Sequence, residues 1–287
     1  MGTRFVEVLG LRVRVLEAGN GAGAPVLLVH GVGGWAENWQ EALAPITATG
    51  RRAIAVDLPG FGESERPRGA RYFDPRRPFY ANFIAALIDA LGVGPAHLVG
   101  NSLGGAVAFM AAVHDAARVR SLSLVAAGGI GREVASTLRV LTVPGLGLLA
   151  KLPRRPESAD NVLRSCFWDR SRIPAHLYAE ARTYGNASLD EFIRVIRAGL
   201  DLRGVRPSLR RDWLARAGSF AGPVLVVWGR EDAVIPVSHA RRITDIFPRA
   251  EVQIIEGCGH VPMAERPVEF LAALLPFLAR SDAQAVQ

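Results

Sequence analysis

A chain of 287 residues, 49% hydrophobic and 21% charged, can bury one sizeable core and fits a single large α/β domain better than two independent ones. Its two cysteines, Cys166 and Cys258, lie far apart without metal-type spacing, which argues against a disulfide framework or a zinc site and for a reducing compartment. The net charge of +7 is carried almost wholly by arginines that read as spread along the chain, and no helix-turn-helix, RNP or zinc pattern accompanies them, so nucleic acid is not an expected partner.

The first residues alternate apolar and charged side chains (Phe5, Val6 and Val8 around Arg4 and Glu7), unlike the uninterrupted apolar block of a secretory signal, and an uncleaved cytoplasmic protein is expected. Strand-like runs then follow in order: Phe5 to Val8 and Leu11 to Glu17, which pair as a hairpin around Leu9 and Gly10, then Val26 to His30, Arg52 to Asp57, Ala96 to Val99, Ser121 to Val125, Val224 to Trp228 and Glu251 to Ile255. Helical periodicity fills gaps between them at Phe79 to Leu91, Leu103 to His114, Ser238 to Phe247 and Pro267 to Leu278. Alternating strands and helices predict a mostly parallel sheet covered by helices. From Gly131 to Ala217 no strand-like run appears. Helical pieces separated by Pro144, Pro153, Pro156, Pro174 and Pro207 predict instead a helical cap, residues 131–217, inserted between the sixth and seventh strands of a core formed by 1–130 and 218–282. Residues 283–287 read as a frayed tail. The longest apolar stretch, Val140 to Leu152, contains Pro144, Gly145 and Gly147 and is too short to span a bilayer, so no stable membrane insertion is expected.

In open parallel sheets ligands bind beyond the carboxyl ends of the strands. The run after Ala96 to Val99 is Gly100-Asn101-Ser102-Leu103-Gly104-Gly105, a Gly-x-Ser-x-Gly turn leading at once into a helix, which exposes a serine hydroxyl on a sharp bend. Such a hydroxyl needs a base, and the base an orienting group. Of six histidines, His260 alone combines a strand-end loop, flanking glycines and the far C-terminal position. His97, His114 and His176 lie in strand or helix patterns, His239 at a helix start and His30 at a strand end. Asp232, after the Val224 to Trp228 strand, is the candidate acid, with Glu231 the neighbour most easily confused with it. The glycine-rich loop His30-Gly31-Val32-Gly33-Gly34 brings backbone toward the helix start, and the N–H groups of Val32 and Leu103 are the candidate donors to a developing oxyanion.

Taken with Asp57-Leu58-Pro59-Gly60-Phe61-Gly62-Glu63-Ser64, these motifs resemble the α/β-hydrolase superfamily over nearly the whole chain. The resemblance implies an eight-stranded sheet with a helical cap and makes Ser64 a structural turn residue; no metal-ligand cluster stands in the sequence, and the expected esterase needs no cofactor. A serine at the nucleophile position sets the chain apart from haloalkane dehalogenases and epoxide hydrolases, which carry an aspartate there. Within the serine branch it is similar to two groups, carboxylesterases and the hydrolases that cleave carbon–carbon bonds in ring-fission products. The second carry an asparagine before the nucleophile, matched by Asn101, and a cap arginine, aligned with Arg182. They usually follow the histidine with a tryptophan, where this chain has Val261, and place a proline in the oxyanion loop, where it has Gly33-Gly34. The expected activity is hydrolysis of short to medium acyl or aryl esters through an acyl-enzyme. Carbon–carbon hydrolysis and a non-catalytic ligand-binding fold are the alternatives. Gly31, Trp35, Asn101, Phe167, Trp168, Arg182 and Val261 are candidate pocket residues; core or lid packing is the ordinary reading of the aromatic ones, and a solvated helix face that of Arg182. The expected partner is a small-molecule ester, and a homodimer is left open.

Overall fold

Strand-forming runs end up side by side in a computed structural model that describes residues 1–76, 78–145 and 157–284. The strands are β1 (Gly2–Val8), β2 (Leu11–Ala18), β3 (Gly23–Val29), β4 (Arg51–Val56), β5 (Ala96–Asn101), β6 (Val119–Val125), β7 (Val224–Gly229) and β8 (Glu251–Ile255). They form one sheet in the order β1-β2-β4-β3-β5-β6-β7-β8, in which β2 runs against β1 and β4 and all other neighbours are parallel. The helices are α1 (Gln40–Thr47), α2 (Phe79–Leu91), α3 (Leu103–His114), α4 (Ser136–Val140), α5 (Glu157–Cys166), α6 (Ala175–Tyr184), α7 (Leu189–Gly199), α8 (Pro207–Arg216), α9 (Ser238–Ile246), α10 (Pro262–Glu265) and α11 (Pro267–Gln284). Among the described residues five of them, α4 to α8, lie in the insertion between β6 and β7.

Period-two alternation sorts the strand residues between two cores. Leu27 and Val29 of β3 face one, with α2, α3 and α9, whereas Val26 and Leu28 face the other, where Trp39, Leu43 and Ile46 meet Phe270, Leu274 and Phe277 of α11. Burial on both faces explains why the central strands read as continuous apolar runs. Helix ends follow local chemistry: α2 stops at Gly92, whose φ of 64° supplies a left-handed C-cap, and α8 starts on Pro207.

Two expectations need correction. Within 131–217, Leu200–Asp201 pairs antiparallel with Gly204–Val205, a bridge too short for any alternation to announce, held by the Val205 N–H donating to the Arg132 carbonyl at 2.9 Å. Helix α11 also runs six residues past Leu278, so Ala283 and Gln284 are helical; residues 285–287 of the expected tail lie outside the described residues, as do 146–152 of the long apolar stretch. Among the described residues no helix is long and apolar enough to cross a membrane.

Buried polar groups fix the loops. Arg14 of β2 pairs with Glu37, with Asp57 (3.2 Å) and with Glu63 (3.4 Å), while Ser64 Oγ donates to the Asp57 carbonyl (2.7 Å) and accepts from the Arg14 N–H (2.9 Å). Ser64 is therefore a turn residue with both its hydrogen-bonding roles filled. His30 accepts the Leu58 N–H on Nε2 (2.9 Å), which places the ring hydrogen on Nδ1 for donation to the Gly31 carbonyl (2.7 Å). His97 lies between Ser121 Oγ (2.7 Å) and Asp282 Oδ1 (3.1 Å). Burial holds both rings down at about 4 against the opposing pull of their acceptors, so the contact with Asp282 is a hydrogen bond of a neutral ring.

Because these folded pKa values lie below the unfolded histidine value, unfolding takes up protons in mild acid. The stability the rings contribute is complete above about pH 6.5 and is lost as pH falls toward 4. Between about pH 7.5 and pH 5 the urea midpoint of His97→Gln should fall less than that of the natural chain, the opposite contribution of Glu180, whose carboxyl is raised to about 7, being common to both proteins. Identical slopes in the two proteins would contradict a buried neutral His97.

Candidate active site

The chain leaves β5 through a turn that only small residues permit. A Cβ on Gly100 would collide with the Gly104 carbonyl, and one on Gly104 with the Val29 carbonyl of β3, so α3 starts in direct contact with its own strand and the next. Between them Ser102 adopts φ 55° and ψ −115°, a conformation that costs of order 1–3 kcal/mol in a non-glycine residue. Neighbouring backbone holds it there: the Ser102 N–H donates to Val125 (2.9 Å), and its carbonyl accepts from Gly128 (2.8 Å) and Ala106 (3.2 Å).

The loops after β7 and β8 bring the other two candidates together. His260 Nδ1 lies 2.8 Å from Asp232 Oδ2, and the other carboxylate oxygen accepts the N–H groups of Val234 (2.8 Å) and Ile235 (2.9 Å). A fully engaged carboxylate facing Nδ1 keeps the ring hydrogen on that side and leaves Nε2 as an acceptor. Glu231, the competing acid, accepts the Cys258 N–H at 2.9 Å, which makes it a brace of the histidine loop. The link to the serine runs through Asn101. Its Nδ2 donates to the carbonyls of Val125 (3.2 Å) and His260 (3.0 Å), so the residue beside Ser102 is bonded to the backbone of His260. Ser102, Asp232 and His260 are all buried.

Glycine loop and helix start flank the serine. A Cβ on Gly31 would stand 3.0 Å from Ser102 Cβ, Val32 follows in a turn closed by the Gly34 N–H on the Gly31 carbonyl (3.0 Å), and Leu103 opens α3, where N–H groups have no intrahelical acceptor. Of the candidate pocket residues, Trp35 is buried, donates its indole N–H to Glu180 of α6 (2.6 Å) and meets the ring of Tyr184. Burial raises the Glu180 carboxyl to about 7, against the pull of that indole. Phe167 packs with Ile173, Leu177 and Ala264, and Val261 lies against the same cluster. Arg182 grips Asp160 of α5 through two bonds (3.0 and 2.7 Å), and Trp168 is 62% exposed at the surface.

The insertion is joined to the histidine loop by contacts that no motif announced. The His260 N–H donates to the Cys166 carbonyl at the end of α5 (2.7 Å), and buried Glu265 accepts the N–H of Gly259 (2.7 Å) with one oxygen and that of Asp169 (2.7 Å) with the other. Burial, and then the nearby Asp232, push the Cys166 thiol up to about 12, so it stays protonated. Phe192 of α7 reaches the opposite side, where a Cβ on Gly33 would meet its ring at 2.8 Å. Phe192 lies among the helical pieces of 131–217 and Glu265 just before the helical run that starts at Pro267, and no motif marks either of them.

The chain matches, over residues 24–267, the family described as the alpha/beta hydrolase fold. It is 32% identical over 295 residues to 2-hydroxymuconate semialdehyde hydrolase of Pseudomonas sp. (strain CF600), covering 98% of this chain and 95% of that one. Among solved structures, a membrane phospholipase A superimposes with a TM-score of 0.77 at 29% identity, covering 98% of this chain and 86% of the other. An esterase from Exiguobacterium antarcticum, 21% identical, shares the fold with a TM-score of 0.76 over 97% of this chain and 100% of its own.

Strain at position 102 gives a test that needs no substrate. Ser102→Gly should be at least as stable as the natural chain and gain up to about 2 kcal/mol in urea unfolding, whereas Ser102→Ala, which keeps a Cβ at positive φ, should gain less. Equal stabilities would remove the argument for strain.

Proposed function

This chain belongs to the α/β-hydrolase fold family, and from that premise we propose that it is a serine hydrolase of carboxylic esters with short to medium acyl or aryl groups. The reading rests above all on the 2.8 Å contact of His260 Nδ1 with a fully hydrogen-bonded Asp232, tied through Asn101 to the strained Ser102.

In this reading Ser102 Oγ attacks the ester carbonyl as His260 Nε2 takes its proton. The carbonyl oxygen becomes an oxyanion, for which the N–H groups of Val32 and Leu103 are the proposed donors. Collapse breaks the bond to the alcohol, which leaves with the proton from Nε2, and Asp232 holds the transient imidazolium. Water then attacks the acyl-enzyme, His260 again accepting a proton, and the acid departs as Ser102 is regenerated. Helices α4 to α8 act as a cap that excludes bulk water. The chemistry uses only residues of this chain.

Carbon–carbon hydrolysis is the second reading, and the 32% identity to 2-hydroxymuconate semialdehyde hydrolase favours it. Two side chains that would serve it are already engaged: Asn101 binds two main-chain carbonyls, and Arg182 binds Asp160. Val261 offers no aromatic wall after the histidine.

Ser102→Ala should abolish turnover of a p-nitrophenyl ester while the fold persists, and a fluorophosphonate should label the natural chain and not the variant. A natural chain that resists labelling would instead be a binding protein. Against a ring-fission diketone, kcat/KM for a neutral aryl ester should be at least about tenfold higher, and Arg182→Ala should change the ester value by less than about threefold, roughly 0.7 kcal/mol. A better diketone activity that Arg182→Ala selectively destroys would put the carbon–carbon reading in its place.

A further inference from the structure

Although the arginines look dispersed, their balance is not. Residues 131–217 hold 16 basic and nine acidic side chains, while the rest of the chain holds 18 of each, so the whole excess of +7 falls on the cap. Four of the eight large apolar side chains that are exposed among the described residues also belong to it: Val140, Val162, Trp168 and Leu202.

These features converge where the cap meets the histidine loop. Phe167 is buried, and the next residue, Trp168, is 62% exposed; of the five tryptophans it alone lies at the surface, the others being at most 6% exposed. Its backbone is fixed, since a Cβ on Gly259 would stand 2.8 Å from the Trp168 nitrogen and the following N–H is held by Glu265. Near it in the chain stand exposed Arg170, Arg164, which lies over the ring of Tyr178, and Arg172, which pairs with Asp169 at 3.4 Å; Val162 is 54% exposed on the adjoining helix α5. An exposed indole on a held backbone is costly to leave in water but suits the boundary between headgroups and acyl chains, where neighbouring arginines can keep their charges in the headgroup layer while their stems lie on apolar surface.

We propose that this face of the cap docks on an anionic lipid bilayer, so that, granting the ester reading above, the esters brought to Ser102 are acyl esters held at such a surface. Charge complementarity selects the anionic leaflet, because the excess of +7 belongs to residues 131–217 while the rest of the chain sums to zero. Exposed Trp168 and Val162 favour lipid over nucleic acid, which would engage the arginines through phosphates and leave the aliphatic side chain in water. Contact is peripheral, consistent with the absence, among the described residues, of a helix able to cross a membrane.

Sedimentation with vesicles of equimolar phosphatidylglycerol and phosphatidylcholine, beside pure phosphatidylcholine, measures the docking directly. Binding to the anionic vesicles should be at least about tenfold tighter and should weaken in about 0.5 M salt. Tryptophan emission should shift to the blue and lose quenching by acrylamide on these vesicles, and neither change should occur in Trp168→Ser. The charge-reversed double variant Arg170→Glu, Arg172→Glu should lose most binding yet retain turnover of water-soluble p-nitrophenyl acetate. A long-chain p-nitrophenyl ester carried in anionic vesicles should be hydrolysed several-fold more slowly by that variant than by the natural chain. Equal binding to both vesicle types, an emission spectrum that does not move, or duplex DNA displacing the vesicles at equal phosphate concentration would each overturn the proposal. Loss of p-nitrophenyl acetate turnover by the natural chain would instead overturn the ester reading, leaving sedimentation and emission to decide the docking.

Discussion

The close approach of α3 to the strands beneath it constrains everything else at the site. Because Gly100 and Gly104 bring the helix start against the Gly104 and Val29 carbonyls, the residue between them cannot relax into an ordinary turn, and Ser102 is held at φ 55°. A side chain on such a bend projects from the end of the sheet instead of packing into it. The same geometry leaves the first N–H groups of α3 without intrahelical acceptors beside the serine. Strain and orphaned donors are thus two results of one packing decision, and both would vanish if either glycine gained a side chain that forced the helix outward.

A second level of constraint comes from polar groups that serve the backbone. Asp232 takes three hydrogen bonds, Glu231 holds Cys258, Glu265 holds Gly259 and Asp169, and Asn101 holds His260, so the histidine loop is braced from the sheet and from the cap. Each bond is modest in net terms, yet leaving one buried N–H without a partner costs about 1–3 kcal/mol. The insertion between β6 and β7 is therefore part of the scaffold that positions His260. The Cys166 carbonyl on the His260 N–H is the shortest expression of that dependence.

Strands and motif loops were legible because they depend on local rules: apolar runs of strand length, glycines at close approaches, and a serine, an acid and a histidine each directly after a strand. The three side chains fall on three loops at one end of the sheet, as parallel topology requires, and helices α2 and α3 start and stop at the residues their periodicity named. The cap was legible only as an interruption. Its short strand pair and the reach of Phe192, Glu180 and Glu265 to particular partners depend on tertiary contacts that no period in the sequence encodes. The charge partition was present in the sequence throughout, but it has meaning only once residues 131–217 are seen as one structural unit.

Substrate preference follows from which polar groups remain available. A side chain already paired in a buried or half-buried site can bind a substrate group only by giving up its partner, and the desolvated partner then opposes the exchange. Asn101 would have to release two main-chain carbonyls, and Arg182 would have to abandon a bidentate grip on Asp160, a geometry that makes such pairs strong. A charged substrate would therefore meet no ready counter-charge among these groups, while a neutral ester asks only for two oxyanion donors and an apolar surface. Phe192 and Val32, packed against Ile196, Leu200 and Val205, are apolar side chains beside the glycine loop. For the proposed esterase, selection would then rest on shape and desolvation more than on charge pairing.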